Sequence, residues 1–164
     1  METIPNKIKI SLKDTIAYIG FMGPIITTLI TGISLLENPP YLFSFIFGSL
    51  LNNAIIGVLK LTIKQPRPTN PLQYIDDSSI RGANIYGMPS GHAQITAFAI
   101  TTLYLTKGPI QWILVSLFIG ALTLYQRWSF RRHTIEQLTV GTIIGASFAY
   151  LIFWITKNYL ERVL

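Results

Sequence analysis

Gln126-Arg127-Trp128-Ser129-Phe130-Arg131-Arg132-His133 leads without a break into Thr134-Ile135-Glu136-Gln137-Leu138-Thr139-Val140-Gly141-Thr142-Ile143-Ile144-Gly145. The first half is polar and basic, the second is apolar, and a histidine marks the seam. His133, Gln137, Gly141 and Gly145 recur every fourth residue, so they share one face of a helix. Gly141 and Gly145 form a small-xxx-small seam, which lets a neighbouring helix approach closely. That packing turns His133 and Gln137 into a bundle rather than toward lipid. The apolar run, about 134–155, is long enough to cross a bilayer. This stretch therefore predicts a membrane helix that begins at a polar site.

Four more apolar runs lie outward from it, at about 15–36, 41–59, 92–106 and 109–125. The first spans roughly 33 Å at about 1.5 Å per residue. Lys7, Lys9 and Lys13 before it resemble the start of a signal peptide. The run is too long for that and lacks a small-residue cleavage site, so it is expected to be a retained span, kinked at Pro24. Asn52 and Asn53 inside the second run predict a face turned into the bundle. The third run is short.

Composition agrees with this pattern. Of 164 residues, 50% are hydrophobic and 12% charged, against about a quarter charged in soluble domains. A disordered or fibrous chain is excluded, and a soluble globular domain is disfavoured because its surface would lack charge. The expected fold is an all-α, polytopic transmembrane helix bundle of about five spans, a single domain over 1–164. Without cysteine the chain has no disulfide, thiolate metal site or Cys nucleophile. The net charge of +6 fits span flanks and anionic head groups; no nucleic-acid module is visible.

Two polar segments interrupt the runs, 60–91 and 126–133. Each follows an even number of crossings, so both emerge on the side of the N-terminus. Ten Lys and Arg fall on that side and three on the other, which by charge alone places the site in the cytosol.

Both histidines of the chain, His92 and His133, open apolar runs on this shared side. In Gly87-Met88-Pro89-Ser90-Gly91-His92, Ser90 is a natural N-cap and Gly91 permits close approach to the backbone. The first N–H groups of the following helix can then bind an anion. Lys60 is followed seven residues later by Arg67-Pro68, where flanking prolines hold Arg67 extended. A Lys point charge beside an Arg fork suits phosphate oxygens. Arg127 ends one run as His133 begins the next, and the Gln137 amide can fix the His133 tautomer. Lys64 is expected to be a span flank, Asp76-Asp77 an exposed turn, and Glu136 to point off the His133 face.

These residues resemble the type 2 phosphatidic acid phosphatase superfamily of membrane lipid phosphatases. Its motifs Lys-x6-Arg-Pro, Pro-Ser-Gly-His and Ser-Arg-x5-His-x3-Asp match Lys60 to Arg67-Pro68, Pro89 to His92, and Arg127 to His133 to Gln137. Gln126 replaces the Ser and Gln137 the Asp. The dolichyl-diphosphatase branch looks similar at that point, with His-Thr-x-x-Gln, and around Gly-Met-Pro-Ser-x-His-x-Gln. The resemblance implies that His133 forms a phosphohistidine and that His92 protonates the leaving oxygen. It further implies that Lys60, Arg67, Ser90, Gly91 and Arg127 hold the phosphoryl group, without metal or cofactor. The implied substrate is a lipid phosphate, first a polyisoprenyl diphosphate and otherwise a phosphatidate. A catalytically inactive lipid-binding membrane protein is the alternative. The branch implies a lumenal site in the endoplasmic reticulum membrane, against the charge count. The family usually has six spans, and five runs are visible here.

Overall fold

The structure is a computed structural model and describes residues 12–72 and 82–161. The expected Asp76-Asp77 turn lies outside those residues, as do Lys7, Lys9 and Arg81. Five helices follow one another: α1 Leu12–Ser34, α2 Pro39–Ile63, α3 Gly91–Leu105, α4 Ile110–Ser129 and α5 Ile135–Ile155. A 3-10 turn at Gly82–Ile85 precedes α3, and a π-helical turn at Thr156–Leu160 continues α5. No strand occurs among the described residues.

Four helices are long and apolar enough to cross a membrane: α1, α2, α4 and α5 with its extension. The third expected span is different. α3 has 15 residues, roughly 22 Å at about 1.5 Å each, and packs against all four others. It is the core of the bundle rather than a fifth wall. Its Phe98, Ala99 and Leu103 are buried, and Phe98 joins Tyr41, Phe45, Phe148 and Phe153 in an aromatic cluster. The outward faces carry Leu29, Phe43, Leu50, Phe118 and Ile143, each more than half exposed. A bundle with apolar side chains outside as well as inside is made for hydrocarbon.

Four threonines inside it are bonded to backbone. Thr27, Thr102 and Thr123 donate to carbonyls four residues back, and Thr31 reaches across from α1 to the Ala99 carbonyl at 3.1 Å. Helix α1 runs on through Pro24. It lies against α4 at Gly20 and Gly23, where a Cβ would strike Gln126 and Thr123. Asn52 faces the core and pairs with Gln94 at 2.8 Å. Asn53, expected beside it, is exposed and bonds Ser49. Successive helical residues are about 100° apart, and that step carries Asn53 off the inward face on which Asn52 lies.

The seam read from the sequence sets the α3–α5 contact. A Cβ on Gly145 would collide with the Gln94 carbonyl, and one on Gly141 would lie 2.6 Å from the Ser90 carbonyl. The Ser90 N–H donates to the Gln137 carbonyl at 3.1 Å. The start of α5 is thereby docked on the start of α3, and the site lies at that junction.

Candidate active site

The end of α2, the start of α3, the end of α4 and the start of α5 meet around a cavity of about 110 Å³. Lys60, Arg67, Asn84, Gly91, His92, Arg127 and His133 line it. Six of these are residues expected from the sequence, and Asn84 is new. Ser90 and Gln137 stand behind the wall. Ser90 is fully buried and caps α3, its hydroxyl accepting from Ala93 N–H at 3.5 Å. The cavity has room for a few water-sized groups at about 30 Å³ each.

Lys60 and Arg67 are held by backbone carbonyls. Lys60, though 2% exposed, donates to the Tyr86 carbonyl at 2.7 Å. Arg67 donates from Nε and Nη2 to the Asn84 carbonyl at 3.0 and 2.8 Å. Its Nη1 donates to the Arg132 carbonyl at 3.0 Å. Arg127, 3% exposed, lies over the Phe21 ring at 5.9 Å, and the same ring is 5.5 Å from His92. The loops that supply these carbonyls lie side by side, with Pro66 paired to Tyr86 and Gly87 N–H donating to the Gln65 carbonyl at 2.8 Å.

The α4–α5 connection is a tight turn. Arg131 adopts a positive φ of 53°, and the Arg127 carbonyl accepts from the N–H groups of Arg132 and His133. Thr134 caps α5, with its side chain bonded to Gln137 N–H and its own N–H bonded to Gln137 Oε1. This capping box orients Gln137. Its Nε2 donates to Gln65 Oε1 at 2.8 Å and the Pro66 carbonyl at 2.9 Å, and the Pro66 carbonyl with the Thr134 N–H settles which end of the amide is oxygen. His133 Nδ1 lies 3.0 Å from the Gly87 carbonyl and 3.2 Å from Gln137 Oε1. Both are acceptors, so the ring proton belongs on Nδ1. Nε2 then carries the lone pair and accepts from Arg67 Nη1 at 3.2 Å, on the side of the cavity both residues line.

Burial first, then the charges of Arg67, Arg127 and Lys60 and the nearby His92, hold the His133 pKa well below its usual value. The ring is therefore neutral at physiological pH. Glu136 is exposed, off this face, and accepts from Gln65 Nε2 at 3.2 Å. Lys64 is exposed and ends α2 in a left-handed conformation. Sequence reading missed Phe21, Gln65, Asn84 and the carbonyls of Tyr86 and Gly87. Gly87 carried a usable signal, since a Cβ there would lie 2.5 Å from the Gln137 amide.

Three cations and two imidazoles thus gather around one small cavity at the ends of long apolar helices. The chain belongs to the PAP2 superfamily, whose family model matches residues 41–161. It is 33% identical to "Dolichyldiphosphatase" of Saccharomyces cerevisiae over 119 residues, 66% of this chain and 49% of that protein. It is 31% identical to "Lipid phosphate phosphatase epsilon 1, chloroplastic" of Arabidopsis thaliana over 148 residues, 84% of this chain and 49% of that protein. "Dolichyldiphosphatase 1" of Dictyostelium discoideum is 29% identical over 136 residues, 74% of this chain and 56% of that protein. The chain thus spans about half the length of these curated relatives. No solved structure matches it.

Proposed function

We propose that this protein is an integral-membrane lipid phosphatase acting through a phosphohistidine on His133. The carrying observation is the pair of acceptors at His133 Nδ1, the Gly87 carbonyl and Gln137 Oε1. They leave a neutral ring with its lone pair on Nε2, where it accepts from Arg67 Nη1 at 3.2 Å until Arg67 turns to the phosphoryl oxygens and the lone pair is freed for attack. Nε2 attacks the terminal phosphorus, the P–N bond forms, and the bond to the leaving oxygen breaks. His92, on the same cavity wall, gives that oxygen a proton. It then takes one from the water that cleaves the P–N bond and restores the enzyme. Lys60, Arg67 and Arg127 stabilise the phosphoryl charge, with the Gly91 N–H at the start of α3. Ser90 serves by capping that helix.

The helices around the site place a hydrocarbon tail in the bilayer while the head group occupies the cavity. The relatives' names, dolichyldiphosphatase and lipid phosphate phosphatase, support a lipid phosphate. Our first substrate is a polyisoprenyl diphosphate, converted to the monophosphate, in the endoplasmic reticulum membrane. A phosphatidate-type monophosphate is second, favoured by the chloroplast relative's longer match.

The test is phosphate release by pure protein from a panel of polyisoprenyl diphosphates, the corresponding monophosphates and phosphatidate, with vanadate as inhibitor. The diphosphate is expected to be cleaved fastest, and His133→Ala to lose at least about a thousandfold in kcat, the scale of losing a nucleophile. Parent-like turnover by His133→Ala would remove the proposed mechanism. A parent with no activity on any lipid, but saturable binding of one, would favour the inactive lipid-binding alternative.

A further inference from the structure

We propose that Gln65 is a positioning residue that links the Glu136 carboxylate to His133 through the Gln137 amide, an inference that rests on His133 as nucleophile. The links are hydrogen bonds. Gln65 Nε2 donates to Glu136 Oε2 at 3.2 Å, and Gln137 Nε2 donates to Gln65 Oε1 at 2.8 Å. Gln137 Oε1 faces His133 Nδ1 at 3.2 Å. Donor and acceptor alternate without a break from carboxylate to imidazole. The Gln65 carbonyl also accepts from Gly87 N–H at 2.8 Å, so Gln65 is tied by backbone to the segment whose other carbonyl faces the same ring.

An amide is a weaker partner than a carboxylate for a ring that becomes positive when phosphorylated. Amides in series polarise one another, and a carboxylate at the far end makes each oxygen along the chain more negative. Glu136 thus supplies at a distance part of the charge that position 137 lacks. The other charged or titratable groups facing His133 are Arg67 from the α2–α3 connection, Arg127 from α4, Lys60 from α2 and His92 from α3. The three cations among them, Lys60, Arg67 and Arg127, oppose a positive ring, which gives a remote carboxylate something to offset.

Three variants test this by the pH profile of kcat/KM, in lipid–detergent micelles with the preferred lipid phosphate. Gln65→Leu breaks the chain. It is expected to lower kcat about tenfold, as loss of an outer partner does, with KM little changed and the acid limb moved to lower pH. Gln65→Glu keeps the acceptor for Gln137 and brings a negative charge one link nearer, so the acid limb moves to higher pH. Glu136→Gln, at an exposed position, is expected to lower the limb when Gln65 is present and to do nothing further alongside Gln65→Leu. A purely structural Gln65 would not move the limb in opposite directions. Limbs that stay put, or shift the same way in both Gln65 variants, overturn the relay while an inactive His133→Ala leaves the nucleophile standing. An active His133→Ala overturns both.

Discussion

His133 combines two needs that conflict in water: a neutral ring for attack and a well-held ring for aim. Burial at 3% exposure and four positive or titratable neighbours keep it neutral, while two acceptors at Nδ1 hold it. The sign follows directly. A histidine whose folded pKa is depressed resists protonation in the fold, while the unfolded ring takes a proton near about 6.5. Stability is therefore fullest above about 6.5 and falls as pH drops from there toward the folded value. Nucleophilic competence follows the folded value alone, so the acid limb of kcat/KM is expected below about 6.5. A limb at or above that pH, which disappears in no His133 variant, would contradict the environment described. Both histidines and the four-residue step to Gln137 are legible in the sequence because they are side chains at helical spacing. The Gly87 and Tyr86 carbonyls are not, since every residue has a carbonyl and only the closed loop says which one faces the ring.

At the scale of elements, the α3–α5 contact carries the site. Gly145 meets the Gln94 carbonyl with no room for a methyl group, so Gly145→Ala must push α5 away from α3. An overpacked contact costs about 1–3 kcal/mol, and the displaced helix takes His133 with it. Thermal unfolding in detergent should show a lower midpoint, and phosphate release a lower kcat. Gly57→Ala is the control, because a Cβ there meets nothing within 4 Å. Removing a mid-helix glycine should raise the midpoint, by about 0.5–1 kcal/mol in stability. The repeating face of α5 was readable because small residues at every fourth position have few uses but close packing. The role of α3 was not, since an apolar run does not say whether lipid or four other helices surround it.

Over the whole molecule, four helix ends converge at one end of the bundle, and Lys157 lies past the other end of α5. The absence of native cysteine makes topology directly measurable. Thr69→Cys, exposed beside the site, and Lys157→Cys, exposed beyond α5, should react with an impermeant maleimide from opposite sides of sealed vesicles. Labelling of both from one side would end the bundle's proposed orientation in the membrane. Which side Thr69 occupies also decides between the charge count and the branch resemblance. Lys60, Arg67 and Arg127 face the cavity and Arg132 is buried, so three of the counted cations are turned to the site and a fourth is buried in the protein rather than exposed to lipid head groups. What the sequence alone determined is the set of apolar runs, the order of the motifs and the chemistry each can supply, because periodicity and residue type are local properties. What the tertiary structure alone decided is that α3 is a core, that Asn84 and Phe21 join the site, and that Gln65 reaches Gln137. Those depend on loops closing over helix ends, and a contact between residues some seventy positions apart leaves no trace in local pattern.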